Sequence, residues 1–99
     1  MKILIVEDEY SLADAISETL QREKFFVKIC SNGEMGEDEA LTGIYDLIIL
    51  DVMLPGKDGF SILKTLREEK NETPVIMLTA KSEIYDKRRF WTYFVNSFR

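Results

Sequence analysis

Histidine is absent from this 99-residue chain and cysteine occurs once. Without histidine, a metal site built on acidic side chains has only oxygen donors, which favours hard cations. The lone Cys30 allows no internal disulfide and fits a reducing compartment. No apolar run approaches the ~20 residues that cross a bilayer, so no membrane segment is expected. With Lys2 the one early cation and Glu7 and Asp8 close behind, no signal peptide is expected either. A cytoplasmic protein is the simplest class. Positive charge is also scarce: residues 1–80 hold 8 Lys plus Arg against 16 Asp plus Glu. Contact with nucleic acid by this domain is therefore not expected, because the phosphate backbone demands clustered cations. Residues 81–99 reverse the balance, with 5 basic residues against 2 acidic ones. The length suits one domain with a modest core, and no internal repeat or low-complexity segment occurs.

What is present is an alternation of short β-rich runs and helical patterns, the signature of a parallel sheet with helices on its faces. Lys2 to Val6 is an unbroken apolar run of the kind buried on both sides. Ser11 is the expected cap of a helix carrying Leu12, Ala15, Ile16 and Leu20 and ending near Lys24. Phe26 to Cys30 reads as a second strand. Ser31-Asn32-Gly33 turns the chain into a second helix through Leu41, closed by Gly43. Glu37-Asp38-Glu39 is expected to form a solvated face of it. Asp46 to Leu50 follows as a third strand, Phe60 to Lys70 as a helix with Phe60, Leu63 and Leu66 inward, and Pro74 to Thr79 as a fourth strand. Asp58-Gly59 reads as turn chemistry and a cap for that helix.

In a parallel sheet all carboxyl ends share one edge, so Glu7 and Asp8, Asp51 and Thr79 are expected to converge there although they are far apart in sequence. Three carboxylates brought together repel one another, and a divalent cation resolves the repulsion. Oxygen donors alone point to Mg2+, which keeps several waters and accepts phosphate oxygens. With charge neutralised on both reactants, Asp51 can act as nucleophile toward a phosphoryl group. Thr79 can donate its hydroxyl to a phosphoryl oxygen. A turning backbone is required for adjacent Glu7 and Asp8 to face the same ion.

Three segments, Ile3-Leu4-Ile5-Val6-Glu7-Asp8-Glu9, Asp46 to Gly59 with Leu54-Pro55-Gly56-Lys57-Asp58-Gly59, and Pro74-Val75-Ile76-Met77-Leu78-Thr79-Ala80, together resemble the receiver domain of two-component response regulators. The resemblance covers residues 1 to about 81. It implies an α/β, flavodoxin-like, doubly wound parallel sheet of order 2-1-3-4-5. It also implies Asp51 as phosphoacceptor, Asp8 as main Mg2+ ligand, Glu7 as a ligand through water, the backbone carbonyl of Met53 as a further ligand, and Thr79 as the switch hydroxyl. The implied donor is a phosphohistidine on a sensor histidine kinase, and the implied output is transcription, which would require residues in a longer parent. No enzyme activity is implied beyond phosphotransfer to the domain's own aspartate.

Two enzyme or cofactor classes fit less well. Phosphatases of the haloacid dehalogenase type need a second aspartate two residues after the first, and Met53 stands there. A flavin-binding domain needs a phosphate loop after the first strand, where Glu7-Asp8-Glu9 would repel the phosphate.

Past Lys81 the resemblance ends. The family continues with a helix, a fifth strand ending in Lys-Pro and a final helix, whereas residues 82–99 hold 6 of the chain's 11 aromatics and no Gly or Pro. We therefore divide the chain into a receiver-like domain, 1–81, and an atypical aromatic, basic tail, 82–99. In the tail, Ser82 can cap a helix striped by Phe90, Trp91, Phe94, Val95 and Phe98, the favoured reading; alternatively Thr92 to Phe98 substitutes for the fifth strand. The family lysine has no counterpart there, and Lys81 is one candidate stand-in. The alternative function is accordingly a receiver-like interaction or dimerisation module that is poorly phosphorylated. An incomplete sheet would leave the fourth strand as an exposed edge, so self-association through that edge and the tail is expected.

Overall fold

The computed structural model describes residues 1–78. The element order is β1 (Lys2–Val6), α1 (Tyr10–Arg22), β2 (Phe26–Cys30), α2 (Gly33–Ala40), β3 (Leu47–Asp51), α3 (Gly59–Glu68) and β4 (Val75–Leu78). The strands form one parallel sheet in the order β2-β1-β3-β4, the arrangement expected of the flavodoxin-like receiver fold. Expectations for Thr79, Lys81, the tail and a fifth strand lie outside the described residues; among the described residues β4, the strand expected to serve as a self-association edge, is the last strand of the sheet.

β1 is central, and its side chains alternate between two separate apolar layers. Ile3 and Ile5 join Leu12, Ile16 and Leu20 of α1 on one face. Leu4 and Val6 join Ala40 of α2 and Ile62 and Leu66 of α3 on the other. Both faces are therefore covered, which is why β1 and β3 read as continuous apolar runs rather than as alternating ones. Each fully buried Ile or Leu contributes about 1.5–3 kcal/mol.

Several boundaries differ from the sequence reading for identifiable reasons. α1 begins at Tyr10 with Glu9 as its N-cap residue, not at Ser11. The helix starts early because the Glu9 carbonyl already accepts from Ala13 N–H at 3.0 Å. Ser11 sits in the first turn, where its hydroxyl reaches Glu9 Oε1 at 3.4 Å. β3 runs one residue later than expected, from Leu47 to Asp51; Asp46 just before it meets Lys2 twice, its N–H donating to the Lys2 carbonyl at 2.8 Å and its carboxylate accepting Lys2 N–H at 2.7 Å. In α3 it is Ile62 and Leu66, four apart, that face the sheet, while Leu63 is half-buried and Phe60 is 58% exposed. Phe60 is two positions before Ile62, and on a helix that spacing turns it to the far side.

The Glu37-Asp38-Glu39 cluster is not a solvated face. Only Asp38 is exposed; Glu37 pairs with Lys57 and Glu39 accepts the Tyr45 hydroxyl at 2.5 Å. The expected cap at Asp58 forms, its side chain accepting Ser61 N–H, and Asn32 caps α2 in the same way by accepting Met35 N–H.

Candidate functional site

The site is assembled by the carboxyl ends of β1 and β3. Val6 stands opposite Leu50 in the parallel register, so Glu7 and Asp51 emerge side by side. Glu7 is held by its N–H, which donates to the Cys30 carbonyl of β2 at 3.0 Å. Both acids are almost fully shielded from solvent, at 1% and 2% exposure, while Asp8 is exposed. One carboxylate oxygen from each of Glu7, Asp8 and Asp51 lies within 4.8 Å of the others. The turn that adjacent acids require is supplied by Glu9 N–H, which donates back to Glu7 Oε2 at 3.3 Å before α1 begins.

The loop from Val52 to Asp58 forms the other wall. Met53 N–H donates to Asp51 Oδ1 at 3.3 Å, folding the chain over the carboxylate. Val52 anchors the loop at both of its backbone groups: its N–H donates to the Leu78 carbonyl at 3.1 Å and its carbonyl accepts Gly59 N–H at 2.8 Å. A methyl group at Gly59 would sit 2.3 Å from the Asp51 carbonyl oxygen, so only glycine lets α3 start this close to the acid. Asp8, Met53, Leu54, Pro55 and Phe60 line an open groove of about 670 Å³ beside the cluster. The Met53 side chain is 80% exposed there.

The donor set fits Mg2+. Three carboxylates converge, all ligands are oxygen, and the half-open position leaves room for the waters this ion retains. The Met53 main chain lies on the same wall, two residues from Asp51. Thr79, the fifth residue of the expected site, follows β4 and is outside the described residues. Sequence reading missed Gly33, Glu37 and Lys57, which hold the loop from the side of α2; the pairing joins two elements, and spacing along the chain carries no signal of it.

The chain is 49% identical over 87 residues to the transcriptional regulatory protein DltR of Streptococcus agalactiae, covering 88% of this chain and 39% of DltR. It thus spans about two fifths of the length of that relative. The receiver domain of the Francisella response regulator 1452 superposes with a TM-score of 0.79 at 22% identity, covering 99% of this chain and 98% of that one, which shows the shared fold. The response regulator TrrA of Thermotoga maritima, solved in complex with Mg2+-BeF, superposes with a TM-score of 0.72 at 25% identity over 95% of this chain and 97% of its own. The family match runs over residues 3–98, past the point near Lys81 where the sequence resemblance ended, and the chain belongs to the response regulator receiver domain family.

Proposed function

We propose that the domain receives a phosphoryl group on Asp51, with Mg2+ held by Glu7, Asp8, Asp51 and the backbone carbonyl of Met53. The observation that carries this reading is the convergence of three carboxylate oxygens within 4.8 Å, two of them on nearly buried side chains at the ends of adjacent strands. Such a grouping is costly unless positive charge offsets it. Bound there, the ion supplies that charge and screens the nucleophile from the phosphoryl oxygens.

The domain's own residues do the rest. A carboxylate oxygen of Asp51 attacks phosphorus as the P–N bond of a donor phosphohistidine breaks. The bonding pair returns to the imidazole nitrogen, and an acyl phosphate forms on Asp51. Burial of Asp51 and the Met53 N–H bond fix the direction in which the carboxylate faces. Thr79, as the residue after β4, is proposed as the hydroxyl that closes on the phosphoryl group, an assignment supported by the sequence pattern. The donor is proposed to be a sensor histidine kinase. The output is proposed to be transcriptional in a longer parent, as supported by the DltR relationship and the length difference. Among the described residues no helix is long and apolar enough to cross a membrane.

Incubation with a small phosphodonor and Mg2+ tests the reading. Wild type is expected to take label and Asp51→Asn none. Label persisting in Asp51→Asn overturns the acceptor assignment. A wild type that neither takes label nor binds Mg2+ supports the interaction-module alternative.

A further inference from the structure

The loop that carries Met53 is clasped by a helix that has no residue in the acidic cluster. α2 reaches it twice with residues four apart, which share one helix face. At its first turn, Gly33 N–H donates to the Pro55 carbonyl at 3.0 Å. The approach is so close that a methyl group at Gly33 would lie 1.8 Å from the Lys57 carbonyl oxygen. One turn on, Glu37 Oε2 meets the Lys57 ammonium at 2.5 Å. That ammonium also donates to Thr65 Oγ1 of α3 at 3.2 Å. Lys57 thus ties its own loop to α2 and to α3.

The environment makes this pair more than a surface contact. The Glu37 side chain is 16% exposed and that of Lys57 35%. Glu37 Oε2 itself is shut off from solvent, and among the described residues its partner is Lys57. Removing the ammonium would leave a shielded carboxylate oxygen without a counter-charge, a much larger penalty than losing an exposed pair. Met53 lies between two fixed points, Val52 on the sheet and the Pro55–Lys57 turn on α2. Its carbonyl has little freedom while both hold.

We infer that the Glu37–Lys57 pair is a positioning device for the phosphoacceptor site, holding the Met53 carbonyl where the cation is bound. The inference rests on the Mg2+-dependent phosphoacceptor reading. Lys57 and Glu37 are positioning residues that act through the loop and do not touch the reacting atoms.

The test is a Mg2+ titration by calorimetry together with initial rates of labelling by a small phosphodonor, with melting temperatures recorded in EDTA. Lys57→Gln and Glu37→Gln are expected to weaken Mg2+ binding about tenfold, the usual scale for groups that orient metal ligands. They should slow labelling at limiting Mg2+ and recover at saturating Mg2+. The exchanged pair, Glu37→Lys with Lys57→Glu, should restore affinity toward wild type. A merely structural contact would lower the melting temperature in EDTA and leave the Mg2+ dissociation constant unmoved; that result overturns the inference, as does failure of the exchanged pair to recover. Wild type that binds no Mg2+ and takes no label instead removes the phosphoacceptor reading on which the inference stands.

Discussion

Glu7 and Asp51 leave adjacent strands at the same level of the register, both nearly inaccessible to solvent, with the exposed Asp8 completing the group. A cation bound to this group stabilises the fold by mass action, so removing one of its carboxylates should blunt that gain. With Mg2+ at a hundredfold excess over its dissociation constant, wild type should gain about 2.7 kcal/mol and Asp51→Asn much less. Thermal melts of both proteins in EDTA and in Mg2+ check this; an equal gain in Asp51→Asn would sink the ligand assignment.

Gly36 packs against the central strand just ahead of the acids. A methyl group there would fall 2.4 Å from Val6 Cγ1. Gly36→Ala should cost about 1–3 kcal/mol from overpacking. Because the obstruction is a side chain, Val6→Ala should make room for it, and the double variant should lose less than the sum of the singles by about 1 kcal/mol. Urea unfolding of the four proteins measures the coupling, and strict additivity would contradict the packing described.

Tyr45 is buried to 8% exposure and donates its hydroxyl to Glu39 at 2.5 Å. Tyr45→Phe should cost about 1.5–3 kcal/mol near neutral pH, the range for bonds to charged groups. Burial first, and then the Glu39 bond and charge, push the phenol well above its ordinary value of 10. A raised folded value means that the contribution is whole below pH 10 and is lost as the pH climbs toward the folded value. The stability gap between wild type and Tyr45→Phe should therefore narrow in alkaline buffer, as chemical denaturation at a series of pH values will show.

Asp58 caps α3 through Ser61 N–H at 3.0 Å and accepts the Ser61 hydroxyl at 3.1 Å. The Ser61 backbone bond, then the hydroxyl bond, hold its carboxyl below the usual 3.8. Here the sign is reversed: the contribution is present above 3.8 and is lost as the pH falls through the lower folded value. Asp58→Asn keeps a cap without the titration, so its difference from wild type should shrink on acidification. Urea midpoints at neutral pH and at about pH 3 check this, and a gap that stays constant contradicts the assignment.

The sheet was largely legible because apolar runs such as Ile3 to Val6 and Leu47 to Leu50 are buried on both faces and so carry no competing pattern. Phe60 was misplaced because a large aromatic outweighed the four-residue spacing of Ile62 and Leu66, which packing obeys. The acids of the site were legible for a topological reason: parallel strands share a carboxyl edge, so ends distant in sequence must meet. In the sequence Lys57 stands only as one residue of the Leu54 to Gly59 segment. Its role depends on Glu37, twenty residues earlier on a different element, and no local pattern announces that distance being closed.

The chain has only five glycines, and two helices end without one. α1 and α3 are followed by Lys24 and Lys70 in the left-handed region, at φ of 70° and 61°. Each lysine carries about 1 kcal/mol of backbone strain that a glycine would relax. The domain therefore keeps an unused margin of stability at two exposed positions remote from the acidic cluster, open to a single codon change at either place and free of any consequence for the chemistry.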